Sequence, residues 1–183
     1  MRNPIYSIAL LGIVLASVAG AFAMWSETLM INAEVNTGEV DVAFTDWMCS
    51  DTGPDPQIPN SQFHNEEGKD VASCNVDVEI LDEEGDVIKL LVTVDNAYPG
   101  YNVQVYMNIS NIGTIPVKLY SSSIDGVNTT ALAVGLLTPQ DTQLHPGDTH
   151  TYTLDIAVLQ DAAENGSYTF EVTLVFAQWN EVP

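Results

Sequence analysis

Basic residues are nearly missing from this chain: four Lys+Arg stand against 25 Asp+Glu, a formal net charge of −21 over 183 residues. Such a deficit argues against nucleic acid as a partner, because binding a phosphate backbone means neutralising it with Lys and Arg. It argues equally against docking on anionic lipid. A soluble surface protein fits, since solvated acidic faces keep an exported chain dispersed. Histidine is also scarce. His64, His145 and His150 form no H-E-x-x-H and no other spacing that sets two ligands on one helical face. His145 and His150 flank Pro146-Gly147 and read as turn and surface residues. No G-x-S-x-G, Gly-rich phosphate loop or Cys/His pairing occurs. With no such motif, the chain reads as a non-enzyme.

Helical periodicity is the next absence; only Thr129 to Leu137 has helical character. Elsewhere the period is two. Val40, Val42 and Phe44 alternate with Asp41 and Ala43, and Val76, Val78 and Ile80 with Asp77 and Glu79. Ile88, Leu90, Val92 and Val94 follow, then Val103, Val105, Met107 and Ile109. Tyr152, Leu154, Ile156 and Val158 come next, and Tyr168, Phe170, Val172, Leu174 and Phe176 close the series. Strands with one apolar face each predict two sheets packed face to face, an all-β sandwich over residues 36–183. Glu84-Gly85-Asp86, Asn111-Ile112-Gly113 and Asn165-Gly166 supply turns. Pro99-Gly100 and Pro146-Gly147 each precede a strand whose inward residues sit at the same offsets, which relates two hairpin halves.

The start of the chain reads differently. Ile5 to Ala23 is continuously apolar or small, Arg2 is its only early positive charge, and Ala21-Phe22-Ala23 offers small residues at the −3 and −1 subsites of signal peptidase. We therefore expect a signal peptide at 1–23, signal peptidase as a partner during export, and membrane contact only through that segment. An uncleaved anchor is the alternative, because the run is just long enough to span a bilayer. Cleavage leaves residues 24–35 as a free N-terminal strand in which Trp25, Leu29 and Ile31 share one face, with Glu27 the polar interruption. A free terminal strand pairs with its own sheet or with a neighbour's.

Cys49 and Cys74 are an even count behind an export signal, so a disulfide is expected. The enclosed segment is rich in Pro, Asp, Asn and Gly, and closing it contributes roughly 3 kcal/mol in the chain-entropy model. Calcium is the one cofactor candidate. Asp51, Asp55 and Asp70 lie in that loop, and Asp82, Glu83, Glu84 and Asp86 crowd one hairpin; hard oxygen ligands suit Ca²⁺. Three N-x-[ST] sequons mark candidate glycosylation sites: Asn108, on the outward face of its strand, and Asn128 and Asn165 in loops.

Several of these features, taken in order, resemble the TasA/camelysin family of secreted biofilm-fibre proteins, which includes archaeal bundling-pilus subunits. Ala21-Phe22-Ala23-Met24-Trp25-Ser26-Glu27-Thr28 resembles its signal junction, and Asn36-Thr37-Gly38-Glu39-Val40-Asp41-Val42 its first sandwich strand. Asn96-Ala97-Tyr98-Pro99-Gly100 with Ser110-Asn111-Ile112-Gly113-Thr114 resembles its P-G-D and N-x-G-T pair, and Phe176-Ala177-Gln178-Trp179-Asn180 its closing A-x-Q-W-N. The resemblance implies a jelly roll that polymerises head-to-tail with copies of itself, residues 24–35 acting as donor strand for the next subunit. A monomeric cation- or glycan-binding adhesion domain is one alternative. A camelysin-like metalloprotease is another, disfavoured by the missing metal motif.

Overall fold

The computed structural model describes residues 4–21, 27–56 and 65–182. The chain divides into two compact units, Met1–Asn36 and Thr37–Pro183.

In the first unit α1 (Pro4–Ala21) coincides with the apolar run. It has no polar face, and its side chains from Ile5 to Leu15 are exposed. Among the described residues no helix is long and apolar enough to cross a membrane. Phe22, Ala23, Met24 and Trp25, which carry the expected cleavage junction and the first donor residue, lie outside the described residues. From Glu27 to Asn36 the chain has no regular secondary structure and every residue is exposed.

All the described strands belong to the second unit. They are β1 (Val42–Cys49), β2 (Ser73–Leu81), β3 (Val87–Asp95), β4 (Asn102–Asn111), β5 (Val117–Asp125), β6 (Leu132–Leu137), β7 (Gln143–Leu144), β8 (Thr149–Val158) and β9 (Glu171–Gln178). One antiparallel sheet has the order β1-β4-β8-β6; a β2-β3 hairpin and a β7-β5-β9 sheet complete the set. The two hairpin halves expected from the Pro-Gly turns are β4 and β8, and they pair directly: Val103 lies opposite Ile156, Val105 opposite Leu154 and Met107 opposite Tyr152. Gly100 and Gly147 take the positive φ those turns require, 95° and 86°.

The inner face of that pair is the core. Val103, Val105 and Tyr152 are completely buried, and burying each such side chain stabilises by about 1.5–3 kcal/mol before ordering is counted. Leu90, Val92 and Val94 of β3, Leu119 of β5 and Val172, Leu174 and Phe176 of β9 pack on this cluster from the other side. The Phe176 ring meets Tyr152 edge-on at 6.1 Å. The chain is therefore an all-β protein with its strands in two facing layers. The Cys49–Cys74 disulfide joins β1 of one layer to β2 of the other, a covalent link that belongs to oxidising compartments.

Four local expectations are corrected. Thr129 to Leu137 is not helical: Asn128 caps a turn, its carbonyl accepting from the Ala131 and Leu132 amides, and Leu132–Leu137 pairs with β8. Ladder bonds to β8 outweigh a helix-forming composition of Leu and Ala. Strand β1 begins at Val42, and Val40 is exposed, because the Asp41 carbonyl accepts from the Ile112 and Gly113 amides of a loop. Val78, Ile80 and Ile88 are exposed, since register shifts at Val78/Ile80 and Ile80/Leu81 break the alternation near the hairpin tip. His150 is half-buried on the inward register of β8, opposite Ile109, and is not a plain surface residue.

Two ends of the sandwich can be told apart. At the root end lie Val42 beside Asn111, and Pro116, whose carbonyl accepts from the Trp179 amide. Buried Asn111 ties this end together: its side-chain amide donates to the Ile115 and Leu144 carbonyls, while its Oδ1 accepts from the Gly113 amide. Segment 37–41 is bonded here, with the Thr114 and Ile115 amides donating to the Glu39 carbonyl and the Glu39 amide to Thr114 Oγ1. Gly113 must lack a side chain, because a Cβ would stand 2.6 Å from the Glu39 carbonyl oxygen and 2.7 Å from the Asp41 nitrogen. At the opposite end Asn102 pairs with Ala157, and Leu132 with Val158.

Candidate functional site

The second layer is open. Strand β3 has β2 on one side and β9 has β5 on one side; among the described residues neither has a strand on its other edge. Between the second half of β3 and the segment that leads into β9 lies a groove of about 1760 Å³, larger than the roughly 300–1,000 Å³ usual for a small-molecule pocket. Leu132, Ile156 and Val158 of the first layer form its floor, Leu91 to Pro99 one wall and Ser167 to Phe170 the other. Asn65 to Lys69 and Gln160 to Gly166 rim its mouth. A slot with an apolar floor beside the unpaired edge of β3 offers what a β-strand needs: pockets for alternate side chains and free backbone N–H and C=O groups.

Position and stiffness of the β3 wall come from the disulfide loop. Asp55 is 2% exposed; its Oδ1 accepts from the Val71 and Ala72 amides and its Oδ2 from the Tyr98 hydroxyl at 2.6 Å. Buried Asn65 donates to the Asp55 and Lys69 carbonyls and accepts from the Lys69 amide. Asp51 accepts from the Tyr101 hydroxyl at 2.6 Å. Burial, reinforced by these carboxylates, pushes both the Tyr98 and Tyr101 hydroxyls well above the ordinary tyrosine range. Burial alone pushes Tyr152 up to about 12.

Among the described residues the three acids of the loop do not gather within reach of one cation. Asp51 and Asp55 already bond protein donors, and Asp70 is exposed and does not join them. Of the hairpin set, Asp82 turns its Oδ1 onto the Glu84, Gly85 and Asp86 amides, capping the turn. Among the described residues one acidic group comes close enough to share a cation: Asp41, Glu84 and Asp86, their oxygens within 4.8 Å. Sequence reading found Glu84 and Asp86 but missed Asp41, which the fold brings from the edge of β1. Asp41 is raised above the usual carboxylate range by burial and by Asp86, Asp82 and Glu39; Glu84 is raised by Glu39, Asp41 and Asp82.

The donor residues expected from the sequence are exposed: Leu29 at 88% and Ile31 at 92%, with Val35 at 83%. Folded chains seldom leave such a row in water. Asn108 is half-buried on β4 and accepts from Thr151 Oγ1; Asn128 and Asn165 are exposed in loops. Asn165 also stands on the groove rim. Comparison with protein-family models, characterised proteins and solved structures finds no match to this chain.

Proposed function

We propose that this protein is a secreted, non-catalytic structural subunit with a jelly-roll-like sandwich that polymerises head-to-tail by donor-strand exchange into extracellular filaments. One observation carries the reading: the same chain holds an exposed apolar arm and a groove with an apolar floor beside the unpaired edge of β3. The order of residues resembling TasA/camelysin proteins supports it, and so does the disulfide, which suits an oxidising exterior. Ten residues, 27–36, extend about 33 Å, and β3 about 30 Å, of which Leu91–Asp95 lines the groove. Seated in a neighbour's groove, Leu29 and Ile31 would each contribute about 1.5–3 kcal/mol before ordering costs, and the backbone would gain a row of hydrogen bonds along β3.

Negative-stain microscopy of the exported protein tests the reading. Filaments are expected from the intact chain, and folded monomers from a chain lacking residues 24–33. Normal filaments from the truncated chain would overturn it; a stable monomer from the intact chain would favour an arm held in its own sheet.

A further inference from the structure

Strand β3, which walls the groove, and strand β9, which continues from its other wall, run in opposite directions. Strand β3 starts beside Asp86, which meets Asp41 at the root end, and finishes at Asp95 on the groove wall. Strand β9 starts after Phe170 on the other wall and finishes at Gln178, which pairs with Val117 at the root end. A single strand laid between them must therefore be parallel to one and antiparallel to the other. Its direction is decided by where its donor's sandwich sits.

Resting on the donor-strand reading above, we propose that the arm of one subunit lies in its neighbour's groove parallel to β3 and antiparallel to β9, with Asn36 at the groove mouth and Glu27 toward the acceptor's root end. The arm leaves its own sandwich at Thr37, and the segment that follows is fastened to the loop 111–115 at the root end. Stacking the donor's root end on the acceptor's groove mouth, where Asn65 to Lys69 and Gln160 to Gly166 stand, puts the arm's C-terminal end at the mouth. The arm then runs inward from there, and its 27→36 direction matches β3. Such a contact joins two different surfaces, so it repeats without closing.

The reverse direction requires Asn36 at the acceptor's root end. An arm folded onto its own sandwich would run that way. So would an exchanged arm in a reciprocal pair, which would bring two root ends together in a closed dimer. Electrostatics disfavours that pair. Glu39, Asp41, Asp82, Glu84 and Asp86 repel one another within a single root end, and meeting a second copy doubles the like charge across the contact. The open chain sets the root end against a mouth that carries Lys69 beside Glu66, Glu67 and Glu164, a smaller like charge than a second root end, so repulsion favours the open chain over the closed dimer. Conversion of a self-paired monomer into a filament is then not an exchange of like for like: the arm has to withdraw and enter the next groove in the opposite sense.

Cysteine pairs in the full-length chain test the direction. Asp95, Thr28 and Glu34 are all exposed, so their replacement leaves the sandwich intact, and microscopy verifies filament formation. Asp95→Cys is combined with Glu34→Cys in one protein and with Thr28→Cys in another, and Asn32→Cys and Met30→Cys replace the arm positions to allow for register. After mild oxidation of filaments, non-reducing gels should show a ladder of cross-linked subunits for Glu34 or Asn32, at least tenfold stronger than for Thr28 or Met30. A ladder from Thr28 or Met30 in place of Glu34 and Asn32 would overturn the proposed direction and leave donor-strand exchange standing. Filaments with no ladder from any pair would overturn both, since the arm would then lie outside this groove.

Discussion

Tyr98 and Asp55, 43 positions apart, share a 2.6 Å hydrogen bond that fastens the disulfide loop to the wall of the groove. The carboxylate is buried and accepts two backbone amides as well, so the tyrosine hydroxyl completes its coordination by donors. Tyr98→Phe would leave a buried carboxylate one donor short. A loss of about 1–3 kcal/mol in chemical-denaturation stability is expected, with a weaker groove for the arm. An unchanged midpoint would show that water replaces the hydroxyl.

Replacing Cys49 and Cys74 together with Ser should lower stability by about 3 kcal/mol, in line with a loop of 25 residues. Denaturant midpoints of the two proteins measure this directly. Mass spectrometry of exported protein should find no free thiol.

Leu29→Asp and Ile31→Asp separate assembly from folding. Both side chains are exposed in the single chain, so monomer stability should change by less than about 0.5 kcal/mol. In a neighbour's groove each Asp would bury an unpaired carboxylate, and sedimentation should find no polymer.

Removing one charge from the root end should stabilise the fold at neutral pH. Asp41 and Glu84 are held above the ordinary carboxylate range, so the folded chain binds their protons more tightly than the unfolded chain does. Their contribution is therefore favourable below the unfolded pKa and is lost as pH rises through the folded one. Asp41→Asn should raise the melting temperature at pH 7, and the gain should disappear as pH falls below the ordinary Asp value near 3.8. A gain that persists in acid would point to packing instead of charge.

Filament growth should accelerate with salt. Subunits with a net charge of −21 approach one another, and both the arm (Glu27, Glu34) and the groove rim (Glu66, Glu67, Glu164) are acidic. Raising ionic strength from about 0.01 M to about 0.15 M shortens the screening length from about 30 Å to about 8 Å. Light scattering should then report an increase in elongation rate on the order of tenfold.

What the sequence by itself determined was local. Period two along Val103, Val105, Met107 and Ile109 needs only neighbours one step apart to declare a half-buried strand, and those residues are the buried face of β4. Proline before glycine at 99–100 and 146–147 carries its own backbone preference, and both turns formed. Two cysteines leave a single intramolecular pairing to expect, and it is the one found. Tertiary structure decided the rest, because the partners lie far apart in the chain. Leu132 to Leu137 became a strand only because β8 offered a ladder. Asp51 and Asp55 looked like cation ligands until the fold supplied tyrosine hydroxyls from more than 40 positions away. Asp41 joined Glu84 and Asp86 across two strands. The groove has no residue pattern of its own: it is the space left where β3 keeps one edge unpaired opposite the segment 160–170. Strand order is set by the sum of long-range pairings, and no local stretch of sequence records that sum.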